Sequence, residues 1–190
     1  MLKKKQIVTC TYNATNLLDN LFQNMNLVRR DVQCSICDPT VKVRKYNTLM
    51  LTSPFGEIIS LEGMTKLQEC CNNITNFRSR CNLCGQDTII KKHQFKNVLI
   101  IDLEYIFIDA MSKKLKILDV SNTPKVLDID GKKYEIVGLV EFTPNHYIAH
   151  CYVNGSWIVK NDLSTSAEVK PNLSDDVKIC FIIYAVCNEA

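Results

Sequence analysis

Asn154-Gly155 limits the folding of this chain more than any other pair of residues in it. A two-residue type I′ turn needs positive φ at both central positions, and Asn followed by Gly supplies that. The flanking residues 147–153 and 156–160 are rich in the β-branched and aromatic side chains that strands prefer. The spacing therefore predicts a hairpin, and the turn length predicts its register. Val153 should face Ser156, Tyr152 Trp157, His150 Val159, and Ile148 Asn161. Side chains alternate faces along a strand, so His146, Ile148, His150 and Tyr152 share a face with Trp157, Val159 and Asn161. Asn161 is then the diagonal neighbour of His146, roughly 7–8 Å away between backbone positions. Asp162 points to the opposite face.

A histidine oriented by Asn or Asp is the base-and-orienter half of a Cys-His-Asn hydrolase site. The carboxamide oxygen accepts from one imidazole nitrogen and fixes the tautomer, while the other nitrogen faces a nucleophile. The same geometry also suits a hydrogen-bonded histidine with no chemical role. The hairpin alone leaves both readings open.

The compartment decides how the ten cysteines are read. The start, MLKKKQIVTC, has basic residues but no apolar core of signal-peptide length. No run approaches the ~18 apolar residues that a membrane helix needs. The expectation is an intracellular chain, in cytoplasm and/or nucleus, with no membrane contact. The sequons at Asn13, Asn73, Asn154 and Asn172 then arise by chance. In a reducing compartment cysteines serve as metal ligands, buried thiols or reactive thiols rather than disulfides. Cys34-Ser-Ile-Cys37 and Cys81-Asn-Leu-Cys84-Gly85 have the spacing of two knuckles that meet around one tetrahedral zinc ion. The expectation is one structural zinc on Cys34, Cys37, Cys81 and Cys84, against four buried free thiols. The net charge of +3 is too mild to argue for nucleic acid. The basic and aromatic run 41–46 would suit a zinc-knuckle nucleic-acid-binding protein, and it suits a solvated basic strand as well.

Elsewhere, Leu17, Leu18, Leu21, Phe22 and Met25 mark an amphipathic helix over 14–25. A strand pair is expected over 41–46 and 47–52. A helix starting from Ser60 is expected over 60–72, with Cys70 and Cys71 buried in it. Residues 97–109, 126–129 and 177–186 read as further strands, the first long and apolar enough to be buried on both faces. Cys180 and Cys187 read as packing residues.

NHYIAHCYVNGSWIVKND resembles the His box of the ubiquitin-specific protease family, G-H-Y-x-A followed after a short gap by W-x-x-(F)-D/N-D. His146, Tyr147, Ala149, Trp157, Asn161 and Asp162 match; Asn145 and Lys160 depart from the pattern. Residues 134–140 are similar to the Y-x-L-x-x-V-V strand before that box, and the two knuckles resemble the family's fingers. With weaker matches included, the resemblance runs from about residue 10 to 187. It implies an α+β fold: a papain-like cysteine protease palm on an antiparallel sheet, a zinc-knuckle β fingers lobe, and a thumb largely missing. The implied organisation is a single domain over 1–190, with a thumb-like helix in 1–30, fingers in 31–95 and palm in 96–190. The implied reaction is hydrolysis of the (iso)peptide bond after the C-terminal glycine of ubiquitin or a ubiquitin-like modifier. In that reaction His146 is base and then acid, Asn161 orients it, and Asp162 adds an auxiliary polar contact.

The nucleophile is less plain. Thr9-Cys10, Asn13 and Ala14 match part of the family's N-x-G-N-T-C-Y-x-N-A/S box and make Cys10 a candidate, but Lys5 and Ile7 replace its Asn and Gly and Thr11 its aromatic. Leu17, Leu18, Asp19 and Leu21 fit instead the family's late-thumb helix, L-L-D-x-L. On that alignment the cysteine box is not in this chain, and the chain is inactive alone. A catalytically dead module that binds ubiquitin or a similar modifier is the alternative function.

Overall fold

The computed structural model describes residues 22, 25–51, 55–103, 120–143, 146–161, 163–173 and 177–187. In chain order come β1 (Val28–Cys34), β2 (Asp38–Tyr46), β3 (Leu49–Met50), the helices α1 (Phe55–Glu62) and α2 (Leu67–Thr75), β4 (Asn76–Ser79), β5 (Ile89–Phe95) and β6 (Val98–Asp102). After these come β7 (Val126–Ile129), β8 (Lys132–Thr143), β9 (His146–Val153), β10 (Ser156–Lys160), β11 (Glu168–Lys170) and β12 (Ile179–Val186). The described residues are thus mostly strand, with two α-helices.

Two sheets hold these strands. A four-stranded antiparallel sheet has the order β2-β1-β5-β4. An eight-stranded sheet has the order β11-β10-β9-β8-β12-β6-β3, with β7 also paired to β8. Its strands are antiparallel except for β3 beside β6. The long β8 makes this arrangement possible, since its first residues pair with β7 and its last ones with β9. Gly138 lets β9 lie close: a Cβ there would stand 2.9 Å from the His150 carbonyl oxygen.

Burial follows the apolar runs. Leu99 to Asp102 of β6 and Ile179 to Ile182 of β12 are buried at every position, which places the middle of the large sheet under cover on both faces. Leu99, Ile101, Ile182, Tyr184 and Leu139 pack with Phe55, Ile59, Leu67, Cys70 and Cys71 of the helices. Ile100, Cys180 and Phe181 pack on the other side with Leu27, and Phe22 packs against this cluster. Each such side chain stabilises the fold by roughly 1.5–3 kcal/mol.

Three expectations change. The helix expected over 60–72 is two helices, because Gly63 adopts φ 88° and breaks the run. Its N–H donates to Ile59 O at 2.9 Å and closes α1, so Ser60 lies inside a helix rather than capping one. Cys70 and Cys71 are buried in α2, as expected. The strand pair expected over 41–52 is not a hairpin: β2 stays in the small sheet, while β3 crosses to pair in parallel with β6. In the 97–109 run, regular pairing stops at Asp102, and residues 104–109 lie outside the described residues. The helix expected over 14–25 also lies outside them, apart from Phe22 and Met25.

Candidate active site and candidate metal centre

The hairpin forms with the register that its turn length dictates. Asn154 and Gly155 take φ 49° and 80°. Val153 pairs with Ser156, Tyr152 with Trp157, Cys151 with Ile158 and His150 with Val159. At the open end, His146 Nε2 lies 2.7 Å from Asn161 Oδ1. The Leu163 N–H donates to the same Oδ1 at 2.9 Å, which fixes the oxygen end of the carboxamide on this side. Nε2 must therefore carry a proton and donate, since an amide oxygen can only accept. The Thr143 hydroxyl donates to His146 O at 3.2 Å and anchors the start of β9. His146 and Asn161 are both half-buried, at the edge of the core rather than within it. Cys10 and Asp162 lie outside the described residues. Cys151, exposed on β9, alternates to the face away from His146.

Further along the His146 face the strand becomes core. His150 Nε2 bonds Glu141 Oε2 at 2.8 Å, and its buried Nδ1 has no hydrogen-bond partner among the described residues. Glu141 went unnoticed in the sequence. The β8–β9 register, which pairs Thr143 with His146 and Glu141 with Ile148, makes it the diagonal neighbour of His150. The rings of Tyr152 and Trp157 meet at 4.8 Å between centroids, and the Lys125 ammonium sits over both, 4.7 and 4.6 Å from them. Burial against those rings pushes the Lys125 pKa down. This packing buries Trp157 and His150, whereas His146 and Asn161 stay half-buried.

The four knuckle cysteines converge for a topological reason. Each pair brackets a tight turn, between β1 and β2 or between β4 and β5, and β1 lies antiparallel to β5 with Cys34 opposite Ile89. Both turns thus come to one end of the small sheet. All four sulfurs lie within 4.8 Å of one another. Three separations are 3.4 Å (Cys37–Cys34), 3.5 Å (Cys37–Cys81) and 3.9 Å (Cys34–Cys84). A tetrahedral ion with ~2.3 Å bonds to sulfur requires roughly 3.8 Å, so the cluster has the dimensions of a four-thiolate metal site. Gly85, at φ 70°, completes the second knuckle and donates to Cys81 O at 2.8 Å.

The thiols are matched to their surroundings unequally. Backbone N–H donation from the Cys37 turn, aided by the Thr88 hydroxyl 3.0 Å away, holds the Cys34 thiol at about 5. Hydrogen bonds to Cys34 and Cys81 push Cys37 up to about 12. Thr88, 3.2 Å from Cys84 as well, also lowers that thiol. A cluster that favours thiolates at some positions and resists a second charge nearby fits a divalent cation that would neutralise them. Thr88 is a member of this site that the cysteine spacing did not reveal.

No protein-family model and no curated protein matches the sequence. The fold does match solved structures, and it is that of ubiquitin-specific-protease-type domains. A chain of the SAGA Ubp8/Sgf11/Sus1/Sgf73 DUB module is similar at 18% identity and TM-score 0.51, covering 86% of this chain and 38% of that one. A chain of the yeast SAGA DUB module with an Sgf73 mutant matches at 17% and 0.50, covering 93% and 46%. The Saccharomyces cerevisiae Pan2 pseudoubiquitin hydrolase-RNA exonuclease module, in complex with AACCAA RNA, matches at 15% and 0.51, covering 86% and 32%. This chain spans less than half the length of each of these chains. The four-stranded sheet with its thiol cluster is consistent with the zinc-binding fingers of that fold.

Proposed function

We propose that this chain is the fingers-and-palm part of a cysteine-type deubiquitinase domain. Its substrate class is a conjugate of ubiquitin or a ubiquitin-like modifier. The observation that carries this reading is the 2.7 Å hydrogen bond from His146 Nε2 to Asn161 Oδ1, which orients the imidazole as the base-and-orienter pair of a thiol hydrolase requires. In the mechanism, Nδ1 takes the proton of the nucleophilic thiol. The thiolate attacks the carbonyl carbon of the modifier's C-terminal glycine, and the imidazolium returns the proton to the departing lysine amine. Water then attacks the thioester, Nδ1 takes its proton, and the thiol is restored. Through both steps Asn161 holds the ring and stabilises its charged form. Asp162 adds a polar contact beside Asn161, and Cys10 is the candidate nucleophile.

Cys34, Cys37, Cys81 and Cys84 hold one zinc ion in this reading. Four thiolates leave no open coordination position, so its contribution is to hold the two knuckles together. No helix of the described residues is long and apolar enough to cross a membrane.

A second reading has a specific basis. The residues around Cys10 lack the Asn, Gly and aromatic of the family's cysteine box, and 17–21 fit a thumb helix instead. The chain would then recognise the modifier without cleaving its conjugates, and the fold itself does not decide between hydrolysis and binding. A ubiquitin carrying an electrophilic C-terminus, applied to the wild type, Cys10→Ala and His146→Ala, separates the two. The expected result for this chain alone is ubiquitin binding without labelling, because loss of a nucleophile costs orders of magnitude in rate. Labelling that disappears in Cys10→Ala would make Cys10 the nucleophile of a shortened enzyme. A chain that neither reacts with nor binds ubiquitin would overturn the proposal.

A further inference from the structure

The small sheet carries a charge that the His146 site does not use. Residues 28–46 and 76–95 contain nine Lys and Arg against three Asp, while the whole chain carries only +3, so the rest of the chain is acidic. A divalent ion on four thiolates would lower that local excess without cancelling it. Five of those nine cations gather on one face. Arg30 pairs with Arg44 on β2, and Val32 lies between Lys42 on β2 and Lys91 on β5. Side chains at these positions point the same way and, with Arg80, line a concavity of about 540 Å³. Its floor includes the half-buried Val32 and Ile89, and Leu83 stands at its rim, 82% exposed. Asp38 is the acid in its lining, and it is engaged with Lys42 at 2.8 Å.

From this arrangement we infer that the concave face of the small sheet docks an acidic, amphipathic polypeptide segment. Cations flanking an apolar floor match a segment whose carboxylates alternate with apolar side chains. Single-stranded nucleic acid needs free aromatic faces for its bases. The rings on this face are already covered: Arg30 lies 4.8 Å from the Tyr46 centroid and also donates to its hydroxyl, and Lys91 lies 5.4 Å from that of Phe77. Leu83 offers a phosphate backbone nothing, whereas it gives an apolar side chain an anchor. This inference does not rest on the deubiquitinase reading, because no residue of the His146 site takes part.

The test uses the full chain and a fluorescein-labelled peptide of alternating Glu and Leu, read by anisotropy. An alternating Lys and Leu peptide and an oligothymidylate serve as the other arms. The acidic peptide is expected to bind, to weaken as salt is raised, and to lose roughly tenfold in affinity in Lys42→Glu/Arg44→Glu. Leu83→Ser, an exposed substitution, should weaken it as well, and unchanged thiol-bound metal in each variant would show the lobe intact. Three results overturn the proposal. One is acidic-peptide binding indifferent to Lys42→Glu/Arg44→Glu, and another is no acidic-peptide binding at all. The third is tighter binding of oligothymidylate with no response to Leu83→Ser, which would make the face a nucleic-acid site.

Discussion

Asn161 shows how much a single side chain can decide. Its Oδ1 receives two N–H donors, from the imidazole and from Leu163, and a lone acceptor serving both leaves the ring one tautomer. In Asn161→Ala the ring loses that constraint, and His146 should pass from one tautomer to a mixture. Nitrogen-15 NMR of the histidine ring measures this directly, whether or not the chain has activity. An unchanged Nε2–H signal would mean that another group holds the ring. His146 and Asn161 could be read from the sequence because a tight turn converts spacing into facing. Glu141 could not, because finding it requires knowing that β8 and β9 pair with Thr143 opposite His146. Its carboxylate approaches His150 only once β8 and β9 are in register.

At the level of elements, the knuckles and the hairpin are both short-range devices, but the knuckles succeed only through β1–β5 pairing. Zinc should therefore bind in a ratio of one per chain. Cys34→Ser or Cys84→Ser should release it and lower the thermal stability of the small sheet, while hydrogen exchange in β6, β8 and β12 changes little. Metal-free protein in which the small sheet stays equally protected would contradict this. The hairpin, the β8 strand and the closing strand β12 were legible because each declares itself in alternation or in an apolar run. The break between α1 and α2 was missed because Ser60 imitates a cap, whereas the deciding residue is Gly63 with its positive φ. The placement of β3 was illegible for a different reason. Two residues pairing in parallel with a strand about fifty positions away leave no local trace.

For the molecule as a whole, the large sheet depends on pairings distant in sequence. Phe181 of β12 pairs with Asp102 of β6 on one side and Val140 of β8 on the other, and Ile182 is fully buried between them. Ile182→Ala should cost about 2–5 kcal/mol, measured by denaturant unfolding, and should slow refolding as well as speed unfolding if β12 docks in the transition state. A loss well below that range would show that the surrounding side chains collapse into the gap. The position of β12 also has a meaning in time. A ribosome adds roughly 5–20 residues each second. After Leu99, Ile100 and Ile101 leave the exit tunnel, on the order of 4 to 15 seconds pass before the strand that covers them emerges in turn. Through that interval the most apolar stretch of the nascent chain waits without its neighbour, while β1, β2, β4 and β5 have already been made and are free to pair. The cell therefore meets this protein first as a small lobe whose strands are all made, joined to an apolar strand that still lacks its β12 neighbour.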